Sequence, residues 1–493
     1  MTKLNGLKMS FALVLFAATA LLAKAQTFES LIKLNPNKGA IPFDTLIQGI
    51  DGNIYGTMYL GGSGVYCCGT VAKILPSGEM SSLHFDEKDG ANPFAGLVLA
   101  TDGNFYGTTS EGGAHNGGEV FRVSPQGELT TLYSFCGQMN CTNGSGPRGS
   151  LVEGLDGNLY GTTYMGGDLT CHSPYGCGTV FRITPQGALT TLHTFAGTDG
   201  AYPYAGLVQS SDGSSFYGTT SWGGTGVSCQ ESSGCGTAYT MTSSGQLTTI
   251  YNFCSQPNCT DGQDVLAGLI EATDGNLYGT TVYGGESGGL CNDGCGTVFK
   301  ITSTGALTTL HSFNSLTDGS YPYAALVQGT DGNFYGTTSG LSGSGTVFSM
   351  NPSGTLVYQH NFSGGDGSNP FGGLLQATSG IFYGTTASGG IYNNPTCEDN
   401  GDDGCGTIYQ LFGLGPFVAF VRNPAKLGQT FGILGQGFTG TTSVSLNGSG
   451  AAFTVRSDTF ITATVPPDAT TGYVTVTTPT RVLTSNVPFN VIP

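Results

Sequence analysis

A Tyr-Gly-Thr core recurs seven times along this chain, at Tyr55, Tyr106, Tyr160, Tyr217, Tyr278, Tyr335 and Tyr383. The steps between copies are 51, 54, 57, 61, 57 and 48 residues. Six copies follow an Asp-Gly turn, and the seventh has Ser379-Gly380 in its place. A period of this length marks one supersecondary unit stacked on copies of itself. Residues 204–253 display the unit. Ala205 to Gln209 reads as a short apolar strand a, and Ser215 to Thr220 as strand b after an Asp-Gly turn. Gly236 to Met241 reads as strand c, and Leu247 to Phe253 as strand d after a turn ending at Gly245. Thr-, Tyr- and Val-rich runs bounded by Gly, Asp and Ser are strand and turn signals. A solenoid coil needs far fewer residues per repeat, and a plain barrel has no reason to repeat its sequence. The expected fold is therefore all-β: a seven-bladed β-propeller over residues 26–415.

Glycine accounts for 83 of 493 residues and charged residues for only 10%. Without a period this would mean low complexity, but here the glycines fall in register with apolar runs and read as ordered turns. The last unit has a strand c at Gly406 to Leu411 and no strand d after it. Thr27 to Leu34 resembles an orphan strand d, so the N-terminal segment is expected to complete the seventh sheet.

Loop lengths separate the two ends of the unit. From the Gly opening strand c to the Gly of the next turn, the spacing is 9 in all six full units. From the motif Tyr to that strand-c Gly it is 14, 12, 18, 19, 18, 10 and 23. In an antiparallel meander, a–b and c–d turns share one end, and b–c and d–a connections share the other. One rim is thus uniform and the other variable. Ligand sites favour variable loops on a rigid scaffold, so the variable rim is the expected ligand face. His115, His172 and Trp222 stand on it as candidate contacts.

All 14 cysteines group as near neighbours: Cys67/Cys68, Cys136/Cys141, Cys171/Cys177, Cys229/Cys235, Cys254/Cys259, Cys291/Cys295 and Cys397/Cys405. Every group falls in a b–c or d–a loop. An even count in an exported chain reads as disulfides that clasp long loops. Zinc is the alternative, but the clusters lack His at ligand spacing. Cys67-Cys68 is either a vicinal disulfide or two thiols.

Export follows from residues 1–25. Lys3 and Lys8 precede the apolar run from Phe11 to Ala23, and Ala23-Lys24-Ala25 supplies a cleavage site, so this is read as a signal peptide. Its removal would carry the net charge from −17 to about −20, which opposes nucleic acid and anionic membranes. No later segment is apolar enough to span a bilayer. The expected location is secreted, extracellular or at the cell surface, with the bacterial periplasm as a further compartment.

Catalytic chemistry is not visible in the residues. His84, His193, His311 and His360 share one strand-d position with Tyr133 and Tyr251, which reads as packing. Glu398, Asp399, Asp402 and Asp403 form an acidic loop that could hold Ca²⁺, although its spacing matches no calcium loop. Asp-Gly pairs before strand a, such as Asp199-Gly200 and Asp366-Gly367, are explained by turn chemistry. No nucleophile elbow, phosphate loop or metal-ligand trio is present, so neither a cofactor nor a catalytic residue is assigned.

From residue 416 cysteine vanishes and Val and Thr alternate. Gln429–Gly437, Ser443–Leu446, Ala452–Val455, Phe460–Val465, Tyr473–Thr477 and Val487–Val491 read as strands of a small sandwich over 416–493.

The repeated Asp-Gly-Asn-Leu-Tyr-Gly-Thr-Thr, Gly-Thr-Val-Phe-Arg-Ile-Thr-Pro-Gln-Gly and Leu-Thr-Thr-Leu strings resemble the GloVer-type tandem repeat of choice-of-anchor proteins, over about residues 40–415. That resemblance implies an exported bacterial protein. The family's C-terminal sorting segment, a hydrophobic tail with a basic end, is not matched, so anchoring by that route is not expected. The segment from Pro416 resembles an IPT/TIG domain, through Gly432 to Phe438, Ser457 to Pro466 and Thr471 to Val476. It implies an immunoglobulin-like spacer or interaction module. The function expected is non-catalytic binding of a glycan or protein by the clasped rim. A structural envelope or matrix part is the alternative, and a carbohydrate-active enzyme the third.

Overall fold

The computed structural model describes residues 27–62, 68–226, 234–286, 290–340, 344–390 and 404–492. Residues 1–25, with the expected signal peptide, lie outside them. The described chain is almost entirely β, with two three-residue 3-10 turns at Met139–Cys141 and Pro257–Cys259. Up to residue 412 it forms seven four-stranded antiparallel sheets. In the fourth, strands a to d are Val208–Gln209, Ser215–Thr220, Thr237–Thr242 and Leu247–Asn252.

Each residue of the repeat motif has a separate job. The Tyr hydroxyl donates to the Asp of the preceding Asp-Gly turn, as Tyr55 to Asp51 at 2.8 Å and Tyr335 to Asp331 at 2.9 Å. The Gly makes room for a ring on strand c: a Cβ on Gly161 would lie 2.7 Å from the Phe181 ring. The Thr hydroxyl donates to a main-chain carbonyl of the next sheet, as Thr57 to Ala95 at 2.8 Å and Thr219 to Ala267 at 3.0 Å. The motif Tyr also packs on the next sheet, with Tyr160–Phe216 centroids at 4.3 Å and Tyr278–Phe334 at 4.2 Å. Sheet pairs therefore share cores, such as Tyr160, Val180 and Phe195 with Leu207, Phe216 and Tyr239.

Strand a is two residues long, shorter than the five expected. The small residues before it meet the backbone of the neighbouring repeats and have no room to pair. A Cβ on Gly149 would sit 2.4 Å from the Ala205 carbonyl carbon, and one on Gly206 would sit 2.2 Å from the Ser150 oxygen. The last residue of strand a, a Gln or Glu, takes an amide of the previous repeat: Thr101 to Glu153 at 2.9 Å, Thr273 to Gln328 at 2.9 Å and Thr330 to Gln376 at 3.1 Å. The same bond joins last to first, from the Thr378 amide to Gln48 at 2.9 Å. The N-terminal strand Thr27–Lys33 pairs with Thr407–Phe412, from Thr27 opposite Phe412 to Lys33 opposite Thr407. It supplies the fourth strand of the last sheet, the place expected for the orphan segment.

The C-terminal segment forms two further four-stranded sheets. One contains Ala419–Phe420, Thr430–Leu434, Phe460–Thr464 and Phe453–Ser457, and the other Ser449–Gly450, Ser443–Leu446, Val474–Thr477 and Val482–Thr484. Phe431, Ile433, Val444, Leu446, Ile461, Val476 and Phe489 lie in one shared core. The strand expected at Val487–Val491 is confined to Val491–Ile492, which pairs in parallel with Ala425–Lys426. Val482–Thr484 was not anticipated, because its turn-rich flanks hide the alternation.

These C-terminal sheets sit on the a–b and c–d rim. Thr459 donates to the Ile50 carbonyl at 2.7 Å, and the Phe417 amide to Thr378 at 3.0 Å. Leu434 and Phe460 pack with Ile50 and Tyr55. The Arg422 guanidinium lies 3.8 Å from the Glu153 carboxylate, both nearly buried. No helix among the described residues is long and apolar enough to cross a membrane.

Candidate functional site

The variable rim is built by pairing each d–a loop with the start of its b–c loop. Isolated bridges join Ala40 to Leu60, Ala91 to Glu111, Ser145 to Met165, Ala201 to Trp222, Gln263 to Tyr283 and Ser368 to Ser388. Both kinds of irregular connection therefore share one end of the ring.

At that end the chain approaches the hub through a Pro-aromatic-small-small-Leu pattern. Phe43, Phe94, Tyr204, Tyr323 and Phe371 hold the aromatic place, Arg148 holds it in the third repeat, and Leu266 in the fifth. Their rings converge. Phe43 lies 4.6 Å from Phe94 in near-parallel stacking and 5.5 Å from Phe371. Phe371 meets Tyr323 at 5.0 Å, and Phe94 meets Tyr204 at 5.2 Å. Tyr59, just past strand b, closes on Phe43 at 5.0 Å. All of these rings are half-buried. The result is an aromatic mouth over the hub.

Arg148 is the cation of this mouth. Its guanidinium carbon lies 4.0 Å from the Tyr164 ring centroid, 5.3 Å from Tyr204 and 5.7 Å from Phe94. Burial raises the pKa of Tyr59 and Tyr204, and nearby Arg148 partly offsets it. Burial pushes Tyr323 up to about 12. These phenols stay protonated at neutral pH and offer hydroxyl donors. Below the rings, the Asp44 carboxylate is held by three donors. It accepts from the Thr45 amide at 2.6 Å, the Gly96 amide at 2.5 Å and the Ser150 hydroxyl at 2.7 Å.

The structure gathers two of the three candidate rim residues. Trp222 and His172 both flank Tyr202, with centroids at 5.5 and 5.4 Å, and Tyr202 stacks on Tyr164 at 4.9 Å. An aromatic strip thus runs from Trp222 to the mouth. His115 is elsewhere, exposed beside Gly137 within the Cys136–Cys141 loop. The mouth itself escaped the sequence reading, although a Pro at fixed offset before strand a in six repeats was the signal that marks it.

Sulfur atoms are joined in Cys136–Cys141, Cys171–Cys177, Cys254–Cys259 and Cys291–Cys295. Cys68, Cys235 and Cys405 are disulfide-bonded too, while Cys67, Cys229 and Cys397 lie outside the described residues. The sulfurs of Cys235, Cys254 and Cys259 lie within 4.8 Å of one another, so clasps of adjacent loops touch. The acidic loop with Glu398, Asp399, Asp402 and Asp403 also lies outside the described residues.

The shared strand-d position does more than pack. His193, His311 and His360 each face the Asp of the following Asp-Gly turn, at 2.8 Å to Asp199, 2.9 Å to Asp318 and 3.0 Å to Asp366. Tyr251 makes the same contact to Asp261 at 2.7 Å. Tyr133 accepts from Asn143 at 2.6 Å in the corresponding loop, whereas His84 is exposed opposite Thr70, so in four repeats the Asp-Gly pairs serve as anchors as well as turns.

A profile of the Gloeobacter/Verrucomicrobia repeat matches residues 14–173 and 167–397. The chain belongs to this repeat family. No curated protein matches its sequence. Among solved structures, selenomethionine-substituted virginiamycin B lyase from Staphylococcus aureus aligns with TM-score 0.50 at 14% identity, over 78% of this chain and 99% of that one. Puromycin hydrolase aligns with TM-score 0.46 at 13% identity, over 72% and 52%. At such identity the lyase likeness bears on fold alone, which is propeller-like.

Proposed function

We propose that this repeat protein is an exported, non-catalytic binding protein whose aromatic mouth holds a glycan. In this reading the seven sheets are the blades of a seven-bladed propeller and residues 1–25 are its export leader. Residues 416–493 are an immunoglobulin-like spacer of the IPT/TIG type that braces the opposite rim. The convergence of Phe43, Phe94, Tyr204, Tyr323 and Phe371 carries the proposal. Aromatic faces accept the C–H face of a pyranose, and the protonated Tyr hydroxyls beside them suit sugar hydroxyls. Repeat family and disulfides fit a surface or extracellular protein of this kind.

The test is calorimetry of the mature chain against a panel of neutral and acidic oligosaccharides. At least one should bind, and Tyr204→Ala should weaken it about tenfold with the melting temperature little changed. Silence across the whole panel would sink the glycan reading.

A further inference from the structure

We infer that the mouth selects a sugar carrying a carboxylate, a uronic-acid residue, and that Arg148 reads it; this rests on the glycan reading above. Arg148 stands half-buried where five other repeats carry a Phe or Tyr ring, and it is the one cation at that repeat position. Lys73, Lys300 and Arg422 each face a carboxylate, at 2.7, 2.7 and 3.8 Å. Arg148 has neither a carboxylate nor a hydrogen-bond acceptor among the described residues. Asp44, below the rings, already accepts from three donors.

Three rings surround the guanidinium, with Tyr164, Tyr204 and Phe94 centroids 4.0 to 5.7 Å from its carbon. An oriented guanidinium with free in-plane donors matches a planar carboxylate through two parallel bonds. The surrounding rings then take the body of the same sugar. The net charge of −17 does not oppose this, because it acts over the Debye length against polyanions. A lone carboxylate in contact with Arg148 is governed by the local cation.

The experiment compares a uronic-acid-terminated oligosaccharide with its carboxyl-reduced, neutral counterpart, titrated into the mature protein. The acid should bind roughly tenfold to a hundredfold tighter. Arg148→Met should abolish that preference while leaving the neutral sugar bound, and Arg148→Lys should keep only part of it. Because the decisive change is in the ligand, the unaltered protein gives the answer even if a variant folds poorly. Equal binding of the two sugars overturns the inference and leaves the glycan reading standing. Binding of neither overturns the inference and leaves the glycan reading to the wider panel, whereas capture only of a peptide C-terminal carboxylate overturns both.

Discussion

The two rims of the ring are made from the same repeat and solve opposite problems. On the tight rim, every a–b turn is held by its own residues: Asp102 takes the Asn104 amide at 3.0 Å, the Asn104 side chain at 2.8 Å and the Tyr106 hydroxyl at 2.8 Å. The c–d turns there keep one length, the a–b turns differ by a single residue in the fourth repeat, and the C-terminal sheets rest on that rim. On the variable rim the loops are held by short disulfides within a loop and by His–Asp or Tyr–Asp contacts to strand d. Self-satisfied turns leave no freedom to diversify. Loops anchored only at their ends can change length without disturbing the sheets. The rim with room for a ligand is the one whose polar groups are not consumed by the repeat.

The largest expected effect tests what both rims share. Deleting residues 26–35 removes the strand Thr27–Lys33 and bares the edge Thr407–Phe412. Unfolding free energy should drop by about 5 kcal/mol or more, and the open edge should promote aggregation. A truncated chain whose circular-dichroism melt overlays that of the intact protein would contradict ring closure.

Next comes the docking of the C-terminal sheets on the tight rim. Glu153→Ala strands Arg422 in a nearly dry interface and should cost about 3 kcal/mol in urea unfolding. Glu153→Gln with Arg422→Met should recover much of that loss. Ligand binding at the other rim should be unaffected, and a change there would mean the rims are coupled.

Within the sheets, Tyr239 and Tyr409 stand where other repeats have Phe121, Phe181, Phe299 and Phe348. Their hydroxyls are buried and find no partner among the described residues. Tyr239→Phe and Tyr409→Phe should therefore raise stability by up to about 1 kcal/mol each. A loss of stability would reveal an acceptor for the hydroxyl.

The smallest effect is in acid and separates the rims by position. Burial works against the Asp274 carboxylate, but bonds from Lys300, Asn276 and Tyr278 on the tight rim outweigh it and hold its pKa at about 2. Burial likewise opposes Asp199 on the variable rim, where His193 and the Ala196 amide keep its pKa below the ordinary range. A depressed carboxylate stabilises the fold above its ordinary value near 3.8, and that contribution fades as pH falls toward the folded value. Stability should thus decline below about pH 4, and Asp274→Asn should flatten the limb between pH 4 and 2. An unchanged acid limb in that variant would show that the Lys300 contact is absent in solution.

Strand order, the placement of both loop classes and the closing role of the N-terminal segment were all legible in the sequence. They depend on local turns and on a count of strands per unit, and both are written in contiguous residues. The mouth was not. Phe43, Phe94, Arg148, Tyr204, Tyr323 and Phe371 lie one repeat apart, or two between Tyr204 and Tyr323, and no single repeat shows that they meet. The His–Asp contacts were missed for a related reason: a position that alternates His with Tyr reads as packing until the acid opposite is seen.

The sequence by itself determined the unit, its number and which end of it could vary, because hydrogen-bonded turns and strand alternation are short-range. Only the tertiary structure decided that five rings from different repeats gather beside a single cation, and that the C-terminal sheets meet the opposite rim. Ring closure carries side chains far apart in the chain to a common axis, and which ones arrive there depends on how adjacent sheets stack, not on any local preference.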